Sequence, residues 1–231
     1  MSTVSLNPTK DTRISQTSVD TNYGTEDYIE IYAAASNKRK CLLSFDMSAS
    51  IASGSTINSA ELRLQCTAGT SGRTVKCYRL LRTDWVEGEA TWNVYKTGSS
   101  WGTAGAGNSS TDYSTTDAAE HATETSYDYL ATWDVTKQVQ TALDSVAGVT
   151  HFLLVDEGAD ANIWQDYDSK EGTTKPVLYI DYTAPVPTSI NIGDAWKAID
   201  WTGSKINIGD SWKTIVAVYI NIGDAWKTVY S

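Results

Sequence analysis

Two histidines, three cysteines, two phenylalanines and a shortage of positive charge set the first limits on this 231-residue chain. His121 and His151 lie far apart, and the cysteines fall at no usual ligand spacing, so no zinc motif is present. No G-x-S-x-G elbow or Cys–His pattern surrounds either histidine, which removes the common hydrolytic nucleophiles. No stretch approaches the roughly 20 apolar residues of a membrane helix, so no membrane partner is expected. Lys and Arg number 18 against 28 Asp and Glu, a net charge of −10. A nucleic-acid backbone would be repelled. The opening "MSTVSLNPTKDTRISQ" has no basic n-region and no apolar h-region, so no Sec-type signal peptide is expected.

Three cysteines are an odd number for a disulfide framework. Alternation puts Cys41 with Leu43 and Phe45, Cys66 with Leu62 and Leu64, and Cys77 with Val75. All three therefore read as small core residues with free thiols, suited to a reducing cytosol. A Cys66–Cys77 bridge across a hairpin is the alternative.

What the chain has in quantity is Trp and Tyr, nine and thirteen. These rings carry polar handles and serve at rims, interfaces and sugar platforms. Short strand-like runs ("YIEIYAA", "KCLLSFDM", "AELRLQCT", "TVKCYRLL", "THFLLVDE", "NIWQDYD", "PVLYIDYT") alternate with Ser, Thr, Gly, Asn and Asp clusters. That pattern predicts an all-β sandwich. One helix is expected in "DVTKQVQTALD", from Val135, Val139 and Leu143 at i, i+4 and i+8, with Asp134 as N-cap. Residues 97–127 show no period and are too long for a plain connection, so they read as a functional or loosely ordered loop. "TAPVPTS" is a linker at residues 184–189, closing a domain of residues 1–183.

Residues 190–231 say one phrase three times: "INIGDAWK", "INIGDSWK", "INIGDAWK". Each copy is a β-hairpin pattern around Gly-Asp. A three-residue turn would set Ile208 opposite Trp212, and a two-residue turn would set it opposite Ser211. The first buries more apolar area and is preferred. Three hairpins cannot bury their own apolar faces, so Ile190, Ile192, Trp196, Ile206, Ile208, Trp212, Ile220, Ile222 and Trp226 are candidate assembly residues. A homo-oligomer is expected, first a trimer; a small domain closed on itself is the alternative.

Several phrases in order carry a resemblance: "DTRI" with "NYGTEDYIEI", "LLSFDMSASIASGSTINSAELRLQ", "YRLLRTDWVEGEATWNVYKTGSSWGTAGAG", "TWDVTKQVQ" and "YDSKEGTTKPVLYIDY". Over residues 1–183 the chain resembles the DNRLRE domain family of large extracellular prokaryotic proteins, part of which is grouped with carbohydrate-binding modules. The resemblance implies a jelly-roll β-sandwich. Lys170 stands where that family frequently has Arg. The C-terminal repeats look like the Gly-turn, Trp-Lys hairpins of tailed-phage structural proteins.

Three chemistries are then weighed. Glu87 and Glu89 lie beside Trp85 and Trp92, as a glycosidase pair would, but carboxylates that brace loop N–H groups look the same in sequence. No enzyme activity is expected. Asp20, Asn22 and Asp27, with Glu26, could ligate a structural calcium or simply make turns; no other cofactor is expected. Trp85, Trp92, Tyr95 and Trp101 are the candidate glycan-binding rings, a reading that leans on the family. The chain is accordingly expected to be a bacteriophage virion structural protein, a decoration, fibre or spike component, made in the host cytoplasm. It would contact other virion proteins and host surface glycans. A secreted or cell-surface carbohydrate-binding module is the alternative, and a polysaccharide-degrading enzyme a distant third.

Overall fold

Alternating strands become a jelly-roll-like β-sandwich in a computed structural model of the chain. The structure describes residues 1–124, 128–145, 148–159 and 163–185, and beyond these only the backbone of strands within residues 189–230. Met1–Pro185 and Val186–Ser231 are two separate units.

In the first unit the strands are β1 (Ser2–Leu6), β2 (Lys10–Ser15), β3 (Tyr28–Ala34), β4 (Asn37–Asp46), β5 (Thr56–Gly69), β6 (Thr74–Leu80), β7 (Val94–Lys96) and β8 (Ser99–Ser100). There follow β9 (Tyr113–Ala122), β10 (Tyr129–Asp134), helix α1 (Thr136–Ser145), β11 (Val149–Val155), β12 (Trp164–Asp168) and β13 (Val177–Thr183). The main sheet runs β1-β13-β5-β12-β3-β4-β11-β6-β9, with β10 added to β5 and β2 to β4. It curls because the long β5 changes partner: Thr56–Arg63 pairs with β13, and Cys66–Gly69 with β12.

Inside the curl, alternate residues of facing strands make the main core, among them Ile29, Ile31, Leu43, Phe45, Leu62, Leu64, Phe152, Leu154, Leu178 and Ile180. Val139, Ala142 and Leu143 bring α1 into it. The Asp134 carboxylate accepts the Thr136 N–H (3.1 Å) and satisfies a first-turn donor. The three thiols are free and buried. The alternative of a Cys66–Cys77 bridge is corrected, because β5 and β6 are not hairpin partners: β6 pairs with β11 and β9.

A second core lies on the opposite face of β4, β11 and β6. Leu42, Leu153, Tyr78 and Leu80 point there and are covered by Trp85, Trp92, Trp101 and Ala106 from the segment 81–112. This is why "CLLSF" and "FLLV" are apolar on both faces. The segment is pinned at its C-terminal end by Asp112, fully buried, whose carboxylate accepts N–H bonds from Gly102 (2.7 Å), Thr103 (3.1 Å) and Asn108 (3.0 Å). Burial opposes the charge of Asp112, but those donors and Arg82 prevail and hold its pKa below the ordinary value. The loop expected over 97–127 is thus partly a cover with defined contacts and partly a strand, β9, whose weak apolar alternation ("YSTTDAAEHA") hid it.

The second unit contains β14 (Ser189–Asn191), β15 (Trp196–Asp200), β16 (Lys205–Ile208), β17 (Ser211–Thr214), β18 (Val218–Ile222) and β19 (Ala225–Tyr230). β14 to β17 form one sheet, β18 and β19 another. Ile208 stands opposite Ser211 and Asn207 opposite Trp212, and Asn191–Trp196 and Asn221–Trp226 repeat that pairing. This corrects the preferred register, which set Ile208 opposite Trp212. Ile192 and the side chains of the other assembly candidates lie outside the described residues.

Candidate functional site

Of the four expected glycan-binding rings, three are corrected by their position. Trp85 is 1 % exposed, Trp92 8 % and Trp101 5 %, all within the second core. The Trp85 indole donates to His151 Nδ1 (3.2 Å) and that of Trp101 to the Thr91 carbonyl (2.9 Å). Buried apolar area on the outer sheet face outweighs ring exposure here, and no sugar face can reach them. Tyr95 is half-buried, with Trp101, the Arg82 guanidinium and the Lys96 ammonium all around its ring, at 5.5, 5.1 and 5.7 Å.

The paired carboxylates brace loops. Glu87 Oε1 accepts the Asp11 N–H (2.7 Å), and Glu89 Oε2 accepts that of Thr97 (2.7 Å). Two of the calcium candidates have side-chain partners: Asp20 accepts from the Asn93 amide (2.8 Å), and Asn22 donates to the carbonyls of Glu87 (2.6 Å) and Ala90 (2.8 Å). The Asp27 carbonyl accepts the Ser169 N–H (3.1 Å). Among the described residues no group of three or more His, Cys, Asp and Glu is placed to hold a metal. Lys170 donates its backbone N–H to Asp11 Oδ2 (2.7 Å) and pairs with Glu87 and Glu171, so it ties the start of β2 to the loop before β13. Burial, against the Lys170 N–H and together with Glu171 and Glu87, pushes the Asp11 carboxyl up to about 7.

The residues with sugar-binding chemistry gather instead on the outer face of β3 and β12. In "YIEIY", Ile29 and Ile31 enter the main core, so Tyr28, Glu30 and Tyr32 take the other side. In "WQDYD", Gln165 and Tyr167 are buried, which turns Trp164, Asp166 and Asp168 outward. The antiparallel register sets Trp164 opposite Tyr32, Asp166 opposite Glu30 and Asp168 opposite Tyr28. Directly opposed side chains stand about 5 Å apart, so six residues form one band. On β4, Arg39 faces Tyr32, stacks over its ring at 5.3 Å and pairs with Glu30.

From β2, the Arg13 guanidinium lies over the rings of Tyr23 (4.2 Å) and Tyr28 (4.6 Å) and contacts Glu26 Oε2 at 2.5 Å. Burial works against the Arg13 charge, yet Glu26, Tyr28 and Glu30 more than compensate and hold its pKa above the ordinary value. Asp166 is less well served. Burial, with Glu30 adding to it and Arg13 and Arg39 opposing, pushes its carboxyl up to about 6. Its Oδ1 is buried with no hydrogen-bond partner among the described residues.

Trp164 is half-buried, as are Tyr28 and Tyr32. Its backbone is fixed on both sides of the peptide unit: the N–H donates to Thr70 Oγ1 (3.2 Å) and the carbonyl accepts the Thr70 N–H (2.9 Å). Its half-buried indole has no ring or cation stacked on it among the described residues. The sequence carries the signal for this band in the alternation of both strands, but only the register joins Tyr32 to Trp164 across 132 positions of chain.

A half-exposed indole beside carboxylates and guanidiniums is an arrangement that can stack a sugar ring and hold its hydroxyls. No curated protein matches the chain. Among protein-family models, carbohydrate-binding module family 96 matches residues 2–126, the stretch that contains Arg13, Tyr23, Tyr28, Glu30, Tyr32 and Arg39. That match spans more than half of the sequence, and the chain belongs to carbohydrate-binding module family 96.

Proposed function

We propose that the chain is a non-catalytic glycan-binding protein whose ligand lies across the β3–β12 face, with Trp164 as the principal stacking ring. The observation that carries this reading is the register that brings Trp164, Tyr32 and Asp166, with the buried Glu30, onto one face of the sheet in a member of a carbohydrate-binding family. A hydroxyl of the ligand donates to Asp166, and others accept from Arg39, while a pyranose C–H face rests on the indole. One shallow ring contact contributes about 1 kcal/mol, and the hydrogen bonds to hydroxyls must supply most of the about 4 kcal/mol that a roughly millimolar Kd represents. Incubating the full chain with insoluble polysaccharides, then measuring depletion from solution, tests it. Depletion is expected for at least one polysaccharide and should be reduced in Trp164→Ala; equal retention by wild type and variant removes the site.

A second reading concerns where the protein acts, and rests on the three INIGD[AS]WK repeats. In it the repeats join copies of the chain, first as a trimer, within a virion, and the sandwiches touch host glycans. Linking weak sites would raise avidity roughly a hundredfold. The secreted carbohydrate-binding module is the competing location. Sedimentation of the full chain, and a mass-spectrometric inventory of purified phage particles, separate the two: a monomer absent from particles rules out the virion reading.

A further inference from the structure

The register of the C-terminal strands divides the repeat residues between two faces of their sheets. Ile190 stands opposite Lys197, Ile199 opposite Ile206, and Ile206 opposite Lys213, so these residues share one face of the β14–β17 sheet. Asn191 opposite Trp196 and Asn207 opposite Trp212 lie one position along, which places both pairs on the other face. β18 and β19 repeat the division, with Ile220 opposite Lys227 and Asn221 opposite Trp226. The isoleucines and tryptophans of the repeats are thus on opposite faces, and the two faces differ in chemistry. The first holds branched aliphatic residues, which make no hydrogen bonds, and lysines, whose stems can lie along apolar surface while the ammonium stays in water. It suits packing against protein. The second sets an asparagine, whose amide both donates and accepts, directly across the ladder from a tryptophan, three times over. Ser189, Thr214 and the opposed Asp200 and Lys205 share that face, so covering it with dry protein would strand polar groups. Trp196 and Trp212 stand on β15 and β17 with β16 between them, and the pairing of Ile199 with Ile206 offsets them by two residues along the strands. Their separation is on the order of 12 Å, which one extended ligand can span.

We propose that the Asn–Trp face of the repeats is a second carbohydrate-binding surface, along which a polysaccharide chain runs from Trp196 to Trp212. Sugar C–H faces lie on the two tryptophans, and hydroxyls exchange hydrogen bonds with Asn191 and Asn207. Asn221 and Trp226 make a third subsite on their own two-stranded sheet. A sugar ring is the ligand that fits an asparagine beside a tryptophan, because it joins an apolar face to hydroxyls that can serve both the carbonyl and the NH2 of an amide. An apolar peptide would leave those amides unpaired. This surface does not depend on the β3–β12 site, and it leaves the isoleucine face for contacts between copies of the chain.

Affinity electrophoresis of the full chain tests this, in gels containing a soluble β-glucan, a xylan, a mannan, glycol chitin or a polyuronate. Wild type is compared with Trp164→Ala, with Trp196→Ala, Trp212→Ala and Trp226→Ala combined, and with Asn191→Ala, Asn207→Ala and Asn221→Ala combined. At least one gel should retard wild type, and Trp164→Ala should keep part of that retardation. The combined tryptophan variant should lose about fivefold in affinity for each ring that engages, and phenylalanine at the same three positions should restore part of the loss. The combined asparagine variant should also be weakened, and it decides the matter where loss of three rings unfolds the hairpins. Sedimentation velocity should give wild-type values for the tryptophan and asparagine variants. Full retardation of a folded tryptophan variant, or of the asparagine variant, overturns the proposal. So does a folded tryptophan variant that sediments differently from wild type, since the rings would then be assembly contacts. Complete loss of retardation in Trp164→Ala also overturns it and leaves the β3–β12 reading in place. Retardation by no gel overturns both.

Discussion

The indole N–H of Trp85 donates to Nδ1 of His151 at 3.2 Å, joining the cover segment to β11 inside the second core. Accepting that bond requires His151 Nδ1 to be unprotonated. His151 is 4 % exposed, and burial, helped by the nearby Lys10 charge, brings its pKa down to about 4.

A folded-state pKa below the unfolded value of 6.5 means that the folded chain binds fewer protons between pH 6.5 and about 4. The contribution of His151 is present above 6.5 and is lost as pH falls through that window. A difference of that size corresponds to about 3 kcal/mol. Asp11 and Asp166, with carboxyls raised to about 7 and 6, act in the opposite direction, so a global melt would blend the effects. Residue-resolved NMR isolates His151: its ring signals and the Trp85 indole signal should move together with a midpoint near pH 4. A midpoint at 6.5 would show that the bond does not shield the imidazole.

Gly105 tests the second core from the other side. Its φ is +76°, and a Cβ there would lie 2.4 Å from the Trp92 ring. Gly98 has a similar φ, +74°, with nothing within 4 Å of a Cβ. Gly98→Ala should cost only backbone strain, about 1 kcal/mol, whereas Gly105→Ala should cost about 2–4 kcal/mol from strain and overpacking together. Urea unfolding of the two variants measures the difference. Equal losses would mean that Trp92 is not packed against the backbone at Gly105.

The three thiols should be inert in the folded chain. Burial raises the Cys41 and Cys77 pKa well above the ordinary thiol value and raises that of Cys66 as well, so little thiolate forms at neutral pH. Thiol titration is expected to find none of the three in native protein and three after denaturation. Rapid labelling of native Cys41 or Cys77 would contradict the packing of the main core.

Much of the fold is legible in the sequence, because one-sided alternation fixes which residues face inward. Cys41, Leu43 and Phe45 announce the main core, and Val135, Val139 and Leu143 announce the helix. What stayed hidden depends on contacts distant in sequence. Leu42 and Leu153 break the alternation, and their partners Trp85, Trp92 and Trp101 look like exposed loop rings until the outer sheet face is seen to need a cover. The candidate site is concealed in the same way. Tyr28, Glu30 and Tyr32 are an ordinary strand pattern, and Trp164, Asp166 and Asp168 another; only the β3–β12 register makes them one surface. The repeats show the limit of area arguments, since the register sets Ile208 opposite Ser211 and not opposite Trp212.

The central claim is that glycan contacts Trp164 on the β3–β12 face and not the tryptophans of the cover segment. The most direct measurement is a two-dimensional NMR titration of the full chain with a polysaccharide fragment that it binds, following the indole N–H signals. The account predicts a saturable shift of the Trp164 signal while those of Trp85, Trp92 and Trp101 stay in place. Shifts at the three cover-segment indoles with Trp164 unmoved would contradict it.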